Sequence, residues 1–263
     1  MKLVSSQPKS RKSKDVRADT AEWQMRVDLA AAHRLAFEHG FSEGIFNHLT
    51  CSVPGKTDRY LQIPFGLHWS EITASSLLEV GHDGKVLRGE GEAELSGYCI
   101  HAPIHRLLPD AVCVMHTHMP FASALSRLED PTIKPIGQTE VGLMRHVVYD
   151  ELYTGPAFDP SEGERLARVL GDKKVMFMSN HGVLTVGKSV AEAYDLLYYL
   201  ERVAQVQLYA MWTGQKLKTL PEPIIAETMR TIGGPMYGGK PHWEHHFAAL
   251  KRMLDRREPD YRD

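Results

Sequence analysis

Two histidines separated by one threonine, His116 and His118 in "VMHTHMPF", follow an apolar run, "AVCVM", that reads as a buried strand. On extended backbone, residues two apart point to the same side. The two imidazoles therefore face one way, as two ligands of one metal must. A third imidazole stands in "MSNHGVLTVG": His181 follows a second buried strand and precedes Gly182, at a hinge that can turn a side chain inward. Three neutral imidazoles suit Zn²⁺, and also Fe²⁺ or Mn²⁺, and leave coordination positions open for water or substrate. An ion held this way polarises a carbonyl or carboxylate oxygen and stabilises the enolate-like charge left when a bond breaks. The plainer reading of an isolated H-x-H pair is two partly exposed histidines beside a turn. The rest of the chain has to decide between them.

The elements that must position these residues are legible as an alternation of strands and helices. Trp23, Val27, Ala30, Ala31 and Leu35 repeat at helical spacing, and Gly40 closes that helix. "IFNHLTCSV" and "RYLQI" read as short strands, "TASSLLEV" as a short helix running into a strand, and "GHDGKV" as a tight hairpin turn. Helices are expected over 97–107 and 120–128, and in "SEGERLARVL"; "RHVVY" is a strand. "KKVMFMSNHGVLTVG" reads as two strands hinged at Asn180–Gly182. Ser189 and Glu192 form a capping box that opens a long helix over 190–212. Without a βαβ fingerprint, this order implies a three-layer α/β/α or an α+β domain. Residues 1–19 carry six Lys or Arg against two Asp and read as a flexible basic arm. The main domain spans 20–215, and 216–263 is a Pro/Gly-rich connector ending in a helix.

Composition narrows the function. The chain has 263 residues, 43% apolar and 24% charged, with a net charge of −2. That balance gives no electrostatic case for nucleic acid or a membrane surface as partner. No apolar run approaches the roughly 20 residues that span a bilayer, and the first residues lack the apolar core of a secretory signal. Cys51, Cys99 and Cys113 are sparse and form no CxxC pair, so a cytoplasmic protein without a disulfide framework is expected.

Together, "MHTHMPFASALS" and "NHGVLTVGKSVAEAYDLLYYLE" resemble the class II aldolase/adducin family. "GIFNHLTCSVPG", "IPFGLHWSEITASSLLEV" and "IHAPIHRLLPDAVCVMHTH" fit the same family in the same order, so the resemblance covers about 22–215. It implies a three-layer α/β/α class II aldolase-like fold around a central mixed or antiparallel sheet, and a homotetramer with sites near subunit interfaces. It also implies a divalent metal, zinc first and manganese or iron next, on His116, His118 and His181.

The chain departs from the family's sugar-phosphate aldolases at several positions. Their proton-transferring carboxylate falls on Gly97; Glu92 and Glu94 are near in sequence but out of register, and read as surface carboxylates. Their phosphate cradle falls on Asn47, His48 and Thr50 and on Phe65 and Gly66, and their general-acid tyrosine falls on Gln138. A small, unphosphorylated substrate is therefore expected, in a pocket that Phe65, Leu67, Trp69 and Phe121 make partly apolar. The chain resembles the family's decarboxylases in placing His48 after Asn47, and an imidazole there is suited to proton delivery. The resemblance leaves three functions open. They are a metal-dependent lyase, by decarboxylation or aldol-type cleavage; a non-haem iron oxygenase of aromatic 2-oxo or 2-hydroxy acids; and a non-enzymatic module like the adducin head. The sequence carries no long basic tail of the adducin kind. His101, His105, His146, His242, His245 and His246 are taken as structural, the last three facing outward on an amphipathic helix, and Tyr149 or Tyr153 as able to reach a neighbouring subunit's site.

Overall fold

The structure, a computed structural model, describes residues 20–232 and 239–263; the expected basic arm lies outside the described residues. In chain order the elements are α1 (Thr20–Glu38), β1 (His48–Ser52), β2 (Arg59–Gln62), β3 (Leu78–Gly81), β4 (Val86–Arg88), α2 (Leu95–Leu107), β5 (Cys113–Thr117), α3 (Pro120–Leu125) and α4 (Gln138–Met144). There follow β6 (Val147–Asp150), α5 (Pro160–Leu170), β7 (Val175–Met178), β8 (Val183–Gly187), α6 (Val190–Trp212), α7 (Glu222–Thr231) and α8 (His242–Arg257). The strands form one mixed sheet in the order β4-β3-β2-β1-β5-β8-β7-β6. Every pairing is antiparallel except that of β6 with β7.

The strands alternate with period two, and both faces are apolar because both are covered. Cys113, Met115, Val175, Phe177 and Val183 point into one core with residues of α1, α6 and α8. Val114, Met176, Met178, Leu184 and Val186 point into a second core with residues of α2 and α5. The layers are therefore α/β/α, as expected. Helices α2 and α5 meet closely at Gly163, where a β-carbon would lie 2.3 Å from the carbonyl oxygen of Cys99. Gly40 ends α1 as expected: with φ 75°, it lets Phe41 N–H reach Ala36 O at 2.8 Å and Gly40 N–H reach Phe37 O at 3.0 Å.

Three local expectations change. "TASSLLEV" forms no helix before β3. Thr73 N–H and Ser76 Oγ bond each other's segment, and Ala74 and Ser75 N–H donate to Tyr261 and Asp263 carbonyls. Hydroxyl side chains that offer the backbone other partners compete with helix. The region expected as a connector contains α7. Finally, 242–263 is built into the domain: Phe247, Leu250, Leu254 and Tyr261 join the first core, and Arg34 donates to Glu258 and Asp260 at 2.9 Å each.

Candidate metal centre

His116 lies in β5 one residue before its end, His118 stands one residue past that end, and His181 sits in the β7–β8 turn; one nitrogen from each lies within 4.8 Å of the other two. Among the described residues, no further His, Cys, Asp or Glu joins this group. The β5–β8 pairing brings Thr117 opposite Val183, which carries the turn to the end of β5. Asn180 takes a left-handed φ of 52°, and His181 N–H donates to Met178 O at 3.1 Å, so the turn is tight. Gly182 is the residue that lets the turn approach. A β-carbon there would stand 2.5 Å from Thr117 O and 2.6 Å from Cδ2 of His118.

The ring orientations suit a cation. His116 Nδ1–H donates to Val183 O at 2.9 Å, which leaves the Nε2 lone pair free. His118 Nδ1–H donates to the Glu43 carboxylate, and His118 Nε2 is buried with no partner among the described residues. Burial, reinforced by His181 and His118, pushes His116 well below the ordinary imidazole range. Burial and the nearby His118 lower His181 to about 4. At neutral pH both are uncharged donors of lone pairs, the form a metal ligand needs. These residues fit a divalent ion.

Beside the triad, β1 places His48 directly opposite His116, with ring centroids 6.3 Å apart. His48 Nε2 lies 2.6 Å from Glu94 Oε2, though off the line of an ideal hydrogen bond. Glu94 is not a surface carboxylate, as its sequence context implied. It caps α2 by accepting Gly97 N–H at 2.8 Å and the Ser96 hydroxyl at 2.7 Å. Burial alone would raise its carboxyl; His48, Ser96 and Gly97 outweigh that and hold it at about 2. A β-carbon on Gly97 would fall 3.0 Å from Cδ2 of His48, so the imidazole fills the space that a side chain at 97 would need.

The other expected site residues are dispersed. Thr50 is fully buried, its hydroxyl engaged by His101 Nδ1 at 2.7 Å, His105 Nε2 at 2.8 Å and Val114 O at 3.4 Å. That hydroxyl has nothing left to offer a substrate. Asn47, with φ 72°, uses its Oδ1 to accept His118 N–H at 3.0 Å and so positions a ligand. Phe65 is exposed, with Phe46 the neighbouring ring at 6.3 Å, and Gly66 follows it in a left-handed turn. Gln138 is exposed in the first turn of α4. Trp69 lies fully buried in the core against His33 and so cannot supply the apolar pocket wall expected of it, whereas Phe121 is half-buried and packs on Tyr209.

Tyr149 is turned inward, accepting Ile133 N–H at 2.8 Å, whereas Tyr153 stands 6.0 Å from the ring of its own chain's His181. Tyr153 and His181 line one narrow cleft with Asp150 and Ser179. A larger cleft of about 510 Å³, lined in part by Tyr149, Asn180 and the same Asp150 and Ser179, adjoins that turn. The C-terminal histidines do not all face outward: His242 and His246 bond the two oxygens of Asp195 on α6 at 3.0 and 2.7 Å. Beside Glu94, what sequence reasoning missed is the part of Glu43 and the close approach to β5 that Gly182 permits. Gly182 carried a signal, a glycine next to a ligand at a hinge. Glu43 carried none, because an acidic residue in a polar loop is ordinary.

No helix among the described residues is long and apolar enough to cross a membrane. Comparison with known proteins bears on the family and the fold. An aldolase II superfamily protein from Pseudomonas syringae has a crystal structure that superposes with a TM-score of 0.86, at 38% identity over 95% of this chain and 100% of that one. Rat alpha-adducin is 33% identical over 258 residues, 93% of this chain and 35% of that protein. Decarboxylase NovR of Streptomyces niveus is 30% identical over 237 residues, 88% of this chain and 87% of that one. Residues 27–208 match the class II aldolase and adducin N-terminal domain, and the chain belongs to that family.

Proposed function

We propose that this protein is a metal-dependent carbon–carbon lyase, of decarboxylase type, acting on a small, unphosphorylated, oxygenated carboxylate. The observation that carries the reading is the open three-histidine cluster, His116, His118 and His181, with the His48–Glu94 pair directly beside it. Likeness to Decarboxylase NovR supports it. When bound by the three histidines, a divalent ion, zinc in the first place, supplies Lewis acidity that draws electron density from the scissile bond.

The chain's own residues do the rest. Loss of CO₂ from R–COO⁻ leaves an electron pair on carbon, and one proton must reach it to give R–H. His48 delivers that proton, and Glu94 holds its ring in place at Nε2. Gly97 has no side chain to act as a base, and decarboxylation requires none to remove a proton from substrate. Expected companions are a cytoplasmic setting and a homotetramer whose partner subunits help to enclose the substrate.

Similarity to alpha-adducin favours a second reading, a binding module that keeps the histidines without turnover. Metal analysis of protein purified without tag or chelator separates the two. About one Zn, Mn or Fe per chain, absent from a His116→Ala/His181→Ala variant, is expected of a three-histidine site. The loaded protein should then release CO₂ from a member of a panel of 2-oxo, 2-hydroxy and aromatic acids. Uptake of O₂ by the iron form would instead identify the oxygenase. Protein that takes up no metal even after loading ends the lyase reading and leaves the binding module.

A further inference from the structure

The loop between α1 and β1 does something that its sequence does not advertise. Its carboxylate, Glu43, accepts the Nδ1–H of His118, and its last residue, Asn47, accepts the backbone N–H of the same histidine at 3.0 Å. One loop therefore holds both the ring and the backbone of one triad member. We propose that Glu43 is a positioning residue for the metal: it fixes His118 in the tautomer and orientation that present Nε2 to the cation. This inference rests on the metal reading above and adds a specific residue to it.

The three histidines differ in how they are held. His116 lies within β5, and its Nδ1–H goes to a strand carbonyl, Val183 O, that the sheet itself keeps in place. His118 lies one residue past the end of β5 and has no ladder to orient it. Its ring is fixed from outside the sheet, by Glu43. A carboxylate is acceptor only, so it selects the Nδ1–H form and leaves the lone pair on Nε2. That nitrogen is buried and has no partner among the described residues, which suits a metal ligand.

The loop is built to place the carboxylate. It begins at the helix-ending Gly40, is drawn together by an isolated bridge between Glu43 and Phe46, and ends at the left-handed Asn47. Glu43 itself is an exposed residue, its side chain 60% accessible, so the fold gains little from it. An effect of its removal on metal binding with no effect on stability would be hard to explain by a structural role.

The test is a competition titration of the metal-free protein with Zn²⁺ against a chromophoric chelator, with Co²⁺ absorption as a second readout. Neither needs a substrate. Glu43→Ala should weaken Zn²⁺ binding by about 10–100-fold, the range found for partners of ligating histidines. Its metal-free Tm should stay at the wild-type value. Glu43→Gln keeps an acceptor and should lose less, and the Co²⁺ spectrum of Glu43→Ala should change shape through the altered His118. Equal affinities and identical Co²⁺ spectra for Glu43→Ala and wild type, with His118→Ala impaired, would overturn the role of Glu43 and leave the metal reading standing. A wild type that binds neither ion would overturn the metal reading itself, and this inference with it.

Discussion

A β-carbon built on Gly97 would lie 3.0 Å from Cδ2 of His48 and 2.9 Å from Nε2 of Gln62. The two positions are therefore packed as a pair: the imidazole of one occupies the space of a side chain at the other. Alanine ordinarily stabilises a helix over glycine by about 0.5–1 kcal/mol, while crowding a filled site costs about 1–3 kcal/mol. Gly97→Ala should thus destabilise by about 1–2 kcal/mol in urea unfolding. Combined with His48→Ala it should recover most of that, a coupling of about 1 kcal/mol. Strict additivity of the two changes would show that the rings and backbone had room to spare.

Thr50 offers a sharper division between structure and substrate binding. His105 Nδ1–H donates to Ala111 O at 2.9 Å, so its Nε2 accepts, and the Thr50 hydroxyl is the donor at 2.8 Å. The same hydroxyl then accepts from His101 Nδ1–H at 2.7 Å. Both imidazoles are kept neutral by burial, His105 at about 3. Thr50→Val removes the hydroxyl at constant shape and leaves two buried nitrogens unpaired, at about 1–3 kcal/mol each. A loss of about 2–4 kcal/mol is expected in denaturant. Thr50→Ser keeps the hydroxyl and should lose only about 1 kcal/mol, the cost of a buried methyl. Near-identical stability of all three proteins would return Thr50 to the substrate-binding role first expected for it.

How much of this was readable in the sequence follows from what each signal depends on. The long helix over 190–212 was legible because Ser189 opens it and its apolar face persists for six turns; Ser189 Oγ accepts Glu192 N–H at 3.2 Å. The three histidines were legible because strand periodicity and a glycine hinge place them locally. Glu94 was misread because its role depends on α2 beginning where it does, with the helix's first N–H groups and His48 converging on it from another strand. Thr50 was misplaced for a related reason. Family register gave its position in the chain, but His101 and His105 on α2 took its hydroxyl. The turn at 73–76 likewise depends on a chain segment nearly 190 residues away, through Tyr261 and Asp263. Nothing local encodes such contacts.

Gly182 should tolerate no side chain. Its added β-carbon would meet backbone, Thr117 O at 2.5 Å, and the ring of a triad member, His118 Cδ2 at 2.6 Å. A flexible neighbour could swing away, but a strand carbonyl cannot. Gly182→Ala is expected to cost about 2–3 kcal/mol and to displace His118 and the β7–β8 turn together. Zn²⁺ affinity should fall at least as far as in Glu43→Ala, with a lowered Tm that Glu43→Ala does not show. Retention of both would mean that the turn does not need its close approach to β5.

The last helix is held by a pair of groups whose charges depend on pH. Asp195 receives His242 at 3.0 Å and His246 at 2.7 Å, while Lys251 pairs with Asp28 and Arg257 with Glu38 farther along α8. The bond to Asp195 raises His242 above its usual 6.5, despite partial burial and the neighbouring Arg145. Burial would raise Asp195, but its bonds to His242 and His246 prevail and bring it below 3.8. A raised histidine adds stability that is whole below about pH 6.5 and is lost as pH climbs through its folded value. A lowered carboxylate adds stability that is whole above about pH 3.8 and is lost as pH falls through its folded value. Attachment of α8 should accordingly be tightest between about pH 4 and 6.5. The Tm difference between wild type and His242→Gln should be largest there and shrink above pH 7. Hydrogen exchange over 242–257 should quicken in parallel in the wild type. Since His242 is 44% exposed on its side chain, the difference will be modest. Asp195→Ala, which removes the acceptor of both histidines, should cost about 1–2 kcal/mol within that window and less outside it. A Tm difference for His242→Gln that stays constant from pH 5 to 8 would show that the Asp195–His242 contact is packing and not charge.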